Sequence, residues 1–217
     1  MKINTIDYLK YIENVYEKLQ NNREYVTNLD LATGDGDHWN NMNIGFGDLL
    51  KNAEKYKDLP MDQLFKNIGM TMMSKIGGSS GVLYGGAYLA AAKTLKGKEE
   101  FDLEDIYLAL KTMVEDMKKR GKTEVGSKTM IDALNPAVEE LEKHLNSKEE
   151  DLVKIFENVK NAAINGAEST KDMPAIRGRA SYQKDKGIGH LDPGAVTMAY
   201  QIELLCDYIL NNKIGKW

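Results

Sequence analysis

Three carboxylates fall within eight residues in the segment Asp30-Leu31-Ala32-Thr33-Gly34-Asp35-Gly36-Asp37-His38. Two bare carboxylates about 4 Å apart repel by roughly 1 kcal/mol in water and about 4 kcal/mol in a partly buried setting. A cluster of this kind tolerates ordering when a cation sits among its members. Gly34 and Gly36 allow the backbone to bend so that the oxygens converge. Hard oxygen donors select magnesium or calcium over softer metals. A calcium-binding EF-hand loop requires a bidentate Glu at its twelfth position. That position is Phe46 counting from Asp35 and Asn41 counting from Asp30, so the pattern fails. A solvated acidic turn is the alternative, because Asp and Gly are common turn residues. Magnesium is usually shared with substrate phosphates, so the metal reading predicts a phosphate ligand nearby.

Ile76-Gly77-Gly78-Ser79-Ser80-Gly81, just before the apolar run Val82-Leu83-Tyr84, offers such a ligand a place. A helix start carries free N–H donors and partial positive charge, and glycines let an anion approach. The later glycines Gly81, Gly85 and Gly86 read instead as close helix packing. The segment Gly121-Lys122-Thr123-Glu124-Val125-Gly126-Ser127-Lys128-Thr129 only imitates a P-loop. Ser127 intrudes before the lysine, and a helix ending Lys118-Lys119-Arg120 stands where a strand is required. Arg177-Gly178-Arg179-Ala180-Ser181-Tyr182 adds Arg179, which can grip phosphate oxygens in bidentate fashion, against the alternative of simple solvation. His190 is open between a helix-start packing role and a chemical one. His144, in a charged helix end, reads as structural.

The elements that must position these residues are helical. Ile12, Val15, Tyr16 and Leu19 recur at steps of three and four, as do Leu103, Ile106, Leu110, Met113, Val114 and Met117. Leu152, Ile155, Phe156, Val159, Ala162, Ala163 and Gly166 form a third stripe. Eight helices are expected, near 4–20, 38–56, 61–76, 79–97, 102–120, 128–144, 148–170 and 193–212. Ser147 with Glu150 reads as a capping box, Asp102 as an N-cap, and Asp192-Pro193 as a cap followed by proline at the first helical position. Two long connections remain, from about Asn21 to Asp37 and from about Thr170 to Asp192. Loops of that length in a compact domain are usually functional or disordered.

The 217 residues suit one large domain, read as 1–217, with 42% hydrophobic residues for its core. A net charge of -4 excludes a general nucleic-acid binder, which needs a cationic face. The single Cys206 excludes an internal disulfide framework and suits a reducing cytosol. It sits in an apolar run and reads as a small buried hydrophobe. No signal peptide is evident at Met1 to Thr5, and no stretch approaches the ~18 to 20 apolar residues that span a bilayer. A soluble cytoplasmic protein is expected.

Taken together, four segments resemble the ADP-binding L-subunit (DhaL) family of bacterial dihydroxyacetone kinases. They are Thr33-Gly34-Asp35-Gly36-Asp37-His38, Gly77-Gly78-Ser79-Ser80-Gly81, Gly126-Ser127-Lys128-Thr129-Met130-Ile131-Asp132-Ala133-Leu134, and Gly178-Arg179-Ala180-Ser181-Tyr182 through Gly189-His190-Leu191-Asp192-Pro193-Gly194. Order and spacing fit across nearly the whole chain. The resemblance implies an all-α antiparallel barrel of eight helices with the nucleotide site at one end. It implies two magnesium ions on Asp30, Asp35 and Asp37, bridging the phosphates of ADP or ATP. His38, Trp39, Asn40, Asn41, Gly78, Ser79, Ser80, Gly121, Thr129, Met130, Arg179, Asp192, Pro193 and Gly194 would then line the nucleotide site, with the second long loop closing over it. Trp39 departs from the small residue usual in the family.

The implied chemistry is distributed over several chains. Bound ADP is charged by a phosphohistidine partner (DhaM type), and the phosphoryl group passes to dihydroxyacetone on another subunit (DhaK type). That accounts for the lack of an evident nucleophile in this chain. Competing readings are a free-standing, ATP-exchanging kinase domain for another acceptor and a nucleotide-sensing regulatory module.

Overall fold

The computed structural model describes residues 1–214. Among these the chain is all-α, with ten α-helices and no strand; an isolated antiparallel bridge joins Ile3 and Phe101. The helices are α1 (Thr5–Asn21), α2 (Arg23–Thr33), α3 (His38–Lys51), α4 (Ala53–Tyr56), α5 (Met61–Lys75), α6 (Gly78–Thr94), α7 (Leu103–Gly121), α8 (Ile131–Ser147), α9 (Leu152–Ser169) and α10 (Pro193–Ile209). The apolar stripes are largely buried: Ile12, Val15 and Leu19 are each 1% exposed, and Ile155, Phe156 and Val159 lie between 0% and 2%, while Tyr16, Leu103, Leu152 and Ala162 at their edges are partly buried. No helix among the described residues is long and apolar enough to cross a membrane.

Two helices differ from the sequence expectation. The span from Asn21 to Asp37, expected as a loop, contains α2, and only Asn22 and Gly34 to Asp37 remain irregular. The expected helix 38–56 is broken at Asn52, whose side-chain amide donates to the Asp48 carbonyl at 2.8 Å. That bond competes with the helical ladder and splits off the short α4. The capping box expected at Ser147 and Glu150 is also absent. Ser147 ends α8, with its hydroxyl donating to the His144 carbonyl at 3.0 Å, and Lys148 follows in the left-handed conformation. Asp151 is the cap of α9 instead, accepting from the amides of Val153 and Lys154. Asp102 does cap α7, in a reciprocal box with Asp105.

The chain divides into two compact units. The first comprises Met1–Glu17 and Asn40–Lys122. Its core holds an aromatic cluster in which Phe65 packs on Tyr8, Tyr88 and Phe101 at centroid distances of 4.9 to 5.2 Å. The hydroxyls of Tyr8 and Tyr88 share a hydrogen bond of 2.9 Å, so the buried phenols are satisfied. Helices α5 and α6 approach closely through Gly69 and Gly85, where a Cβ on Gly85 would lie 2.8 Å from the Gly69 carbonyl oxygen.

The second unit comprises Lys18–Trp39 and the chain from Thr123 onward. Its framework is α8, α9 and α10, with α2 against α10. Gly166 of α9 sits where a Cβ would meet the Asp132 carbonyl oxygen at 2.1 Å, which sets the α8–α9 spacing. Cys206 is 1% exposed, and burial pushes its thiol pKa up, consistent with an inert packing role. His144 is buried, with its Nε2 3.1 Å from both Glu140 and Asn158, and it is structural.

Candidate functional site

The second unit carries the acidic site. Asp30 occupies the last turn of α2 and is buried, while Asp35 and Asp37 lie exposed on the four-residue link to α3. One carboxylate oxygen from each comes within 4.8 Å of the others. The link is held by its backbone. The Gly34 amide donates to the Asp30 carbonyl at 2.5 Å, and a Cβ on Gly34 would stand 2.4 Å from Asp30 Oδ1. Gly36 has φ +77°, a conformation costly for other residues, and a Cβ there would press on Leu31 at 2.7 Å. Asp30 Oδ2 accepts from the His38 amide at 2.9 Å, which fixes the carboxylate against the first turn of α3.

The His38 ring is buried, and its Nε2 lies 2.8 Å from the Thr197 hydroxyl on α10. Desolvation lowers its pKa to about 4, outweighing the opposing pull of Asp37, so the imidazole is neutral near pH 7. The Trp39 indole is turned inward, donating to the Leu19 carbonyl at 2.8 Å beneath the Arg23 guanidinium. Asp35 is paired with Arg179, Nη2 to Oδ2 at 2.5 Å. Arg179 lies on a short 3-10 turn, Arg179–Tyr182, within the irregular segment between α9 and α10. Both partners are well exposed, so the pair is easily exchanged.

The start of α10 borders this cluster. Asp192 caps the helix, its Oδ2 accepting from the Ala195 amide at 2.7 Å. Desolvation pushes its pKa up to about 7, although the Ala195 amide and Lys128 pull it down, and the carboxylates Asp132 and Asp30 push it further up. Asp192 as a residue is partly buried. Met130, at the start of α8, is buried beside Gly194, where a Cβ would lie 3.7 Å from Met130 Cε. Asp132 organises the preceding turn, accepting from the amides of Gly126 and of Thr129, the latter at 2.7 Å. The Thr129 hydroxyl is itself engaged, accepting from the Ile131 amide. Ala32, Gln183, Lys184, Asp185 and His190 line a cleft of about 590 Å³ on this unit.

The remaining predicted residues belong to the first unit. Helix α6 begins at Gly78, and its cap residue Gly77 has no side chain to satisfy the leading amides. A helix start without a side-chain cap suits an anion. Gly78 has φ +63° and open space around it, and Ser79 is exposed with Ser80 partly so. Asn41 stands beside this turn, its Oδ1 3.2 Å from the position of a Cβ on Gly77; Asn40 is exposed. Gly121 ends α7. Gly81, Gly85 and Gly86 are buried at close contacts, as read from the sequence. Sequence reasoning gave no role to Thr170 and Thr197, whose partners Lys128, Asp192 and His38 lie far along the chain; Asp132 was quoted only within a matching segment, although its partners are local.

Three carboxylates and no soft donor make a fit for a hard divalent cation. The buried Asp30 beside exposed Asp35 and Asp37 leaves an outward face on which waters or phosphate oxygens can complete coordination.

Comparison with known proteins gives a consistent picture. The DAK2 domain family matches residues 32–207. The ADP-binding subunit DhaL of PEP-dependent dihydroxyacetone kinase 1 from Listeria innocua is 40% identical over 191 residues, covering 88% of this chain and 90% of that protein. The corresponding Escherichia coli subunit is 38% identical, covering 84% and 86%. The PTS-dependent Lactococcus lactis subunit is 36% identical, covering 94% and 98%. Among solved structures, the dihydroxyacetone kinase of C. freundii in complex with AMP-PNP and Mg2+ superposes with a TM-score of 0.69 at 26% identity. That superposition covers 92% of this chain but only 33% of the larger kinase, so this chain spans about a third of its length.

Proposed function

This chain belongs to the DAK2 domain family, and on that premise we propose that it is the ADP-carrying subunit of a dihydroxyacetone kinase dependent on phosphoenolpyruvate. The observation that carries the reading is the convergence of Asp30, Asp35 and Asp37 within 4.8 Å, on a link that two glycines hold in place. Near full-length coverage of three curated subunits supports it. The reading includes two magnesium ions on the triad, with ADP as a retained cofactor. It also includes a phosphohistidine donor and a dihydroxyacetone-binding subunit as partners in the cytoplasm.

Magnesium bound at the triad supplies charge neutralisation for the transferring phosphoryl group. The protein's own groups do the positioning. Asp30 is locked by the His38 amide and keeps one oxygen for the metal. Arg179, held in reserve on Asp35, exchanges that exposed partner for phosphate oxygens when nucleotide arrives. His38 stays neutral and orients the first turn of α3 through Thr197. Thr129, Met130, Asp192, Pro193 and Gly194 are proposed as nucleotide contacts. Asn40, Asn41, Gly78, Ser79, Ser80 and Gly121 are proposed as such contacts from the family resemblance.

Native mass spectrometry of the purified protein with magnesium, without added nucleotide, tests this. A retained mass of one ADP with magnesium is expected. An empty protein that binds ATP reversibly contradicts the retained-cofactor reading and identifies an exchanging kinase domain.

A further inference from the structure

The lysine of the false P-loop has a different task. Four non-glycine residues among those described have left-handed φ, and all are lysines: Lys122, Lys128, Lys148 and Lys186. Lys122 and Lys148 are exposed helix caps, and Lys186 is an exposed turn residue. Lys128 alone of the four is buried, at 2% exposure. A non-glycine residue kept in this conformation requires surroundings that over-determine it. The surroundings here are the two ends of the long segment between α9 and α10. Lys128 Nζ donates to the Thr170 carbonyl at 2.6 Å and also to the His190 carbonyl. Its stem passes beneath Gly187, where a Cβ would lie 3.2 Å from Lys128 Cε.

Other bonds close the same stem. The Asp192 amide donates to the Thr170 hydroxyl at 3.0 Å, and the Gly189 amide to the Lys171 carbonyl at 2.8 Å. The Ala175 amide donates to the Lys186 carbonyl at 2.9 Å, and the Ile176 amide to the Ser127 carbonyl, next to the lysine itself. A buried ammonium needs acceptors, and two backbone carbonyls from opposite ends of one loop satisfy it only when the loop is closed.

We propose that Lys128 is a positioning residue, a buried ammonium that clamps both ends of the loop bearing Arg179 against the start of α10. The clamp sets the order of the loop, and therefore how firmly nucleotide is held, without touching the triad. The nucleotide part of this inference rests on the proposed function; the loop part does not.

Amide exchange separates them. In the full-length protein with magnesium, after bound nucleotide has been stripped, Lys128→Met and Lys128→Gly should each speed exchange of the Ala175, Ile176 and Gly189 amides at least tenfold, with α8, α9 and α10 unchanged. Lys128→Gly is informative because glycine suits the left-handed backbone, so its effect belongs to the lost ammonium. In the assembled kinase, KM for added ADP should rise at least tenfold in both variants while kcat at saturating ADP changes far less. Unchanged loop protection overturns the clamp, as does acceleration spread evenly through α8, α9 and α10. A wild-type protein that binds no ADP sinks the nucleotide reading while the exchange data still decide the clamp.

Discussion

The two loops of the second unit solve the same problem by opposite means. The link Gly34 to Asp37 is four residues long and is shaped from within by glycine conformations and a helix end. The segment between α9 and α10 is long and is shaped from outside, by Lys128 and a few backbone bonds to distant residues. A short loop whose neighbours exclude side chains is preorganised for a metal, which demands fixed distances. A long loop tied at its ends is expected to open at lower free energy, which suits the covering role proposed for it. The Arg179–Asp35 pair is where the two meet.

If this contrast is right, damage to the first loop is the most severe. Gly34→Ala drives a methyl into Asp30 Oδ1, 2.4 Å from the required Cβ position. Affinity for ADP with magnesium should fall about 100-fold or more, roughly 2.7 kcal/mol, in calorimetric titration, with helical content preserved. An alanine variant that binds normally would break the claim of internal shaping.

The second loop should respond more mildly. Arg179→Ala removes an exposed pair, so thermal stability should move by no more than about 0.5 kcal/mol. Its ADP affinity should fall about tenfold in the same titration. Equal loss of stability and affinity would mean that Arg179 holds the fold and not the ligand.

Asp192 sharpens the comparison at the loop's end. Its folded pKa of about 7 lies above the ordinary carboxylate value. Between about pH 4 and pH 7 the folded state therefore binds more protons than the unfolded state, and this group's contribution to stability falls as pH rises. Asn serves as a helix cap about as well as Asp. In metal-free protein, Asp192→Asn should match wild type near pH 5 and exceed it by about 2 to 3 kcal/mol at pH 8 in urea unfolding. A constant difference across pH would contradict the buried-charge account.

What could be read from the sequence depended on distance along the chain. Asp30, Asp35 and Asp37 lie within one short segment, so convergence was visible before any fold. Asp102 and Asp192 cap helices through residues three positions on, again a local pattern. Helix α2 escaped because its buried side is sparse, only Val26, Asp30 and Thr33, too polar to make an apolar stripe. The break at Asn52 turned on one side-chain bond that periodicity does not encode. Ser147 and Glu150 had the spacing of a capping box, but the end of α8 had already taken that stretch. Lys128 could be rejected as a P-loop lysine by its spacing, yet its partners lie 42 and 62 residues away. No local pattern announces such a clamp.

The most direct test of the central claim is phosphoryl transfer to dihydroxyacetone by Asp35→Ala and Asp37→Ala in the reconstituted kinase, beside circular dichroism of each variant. The account predicts loss of transfer by at least a thousandfold with an unchanged helical spectrum. Full activity in either variant would contradict the assignment of the metal, and with it the proposed function.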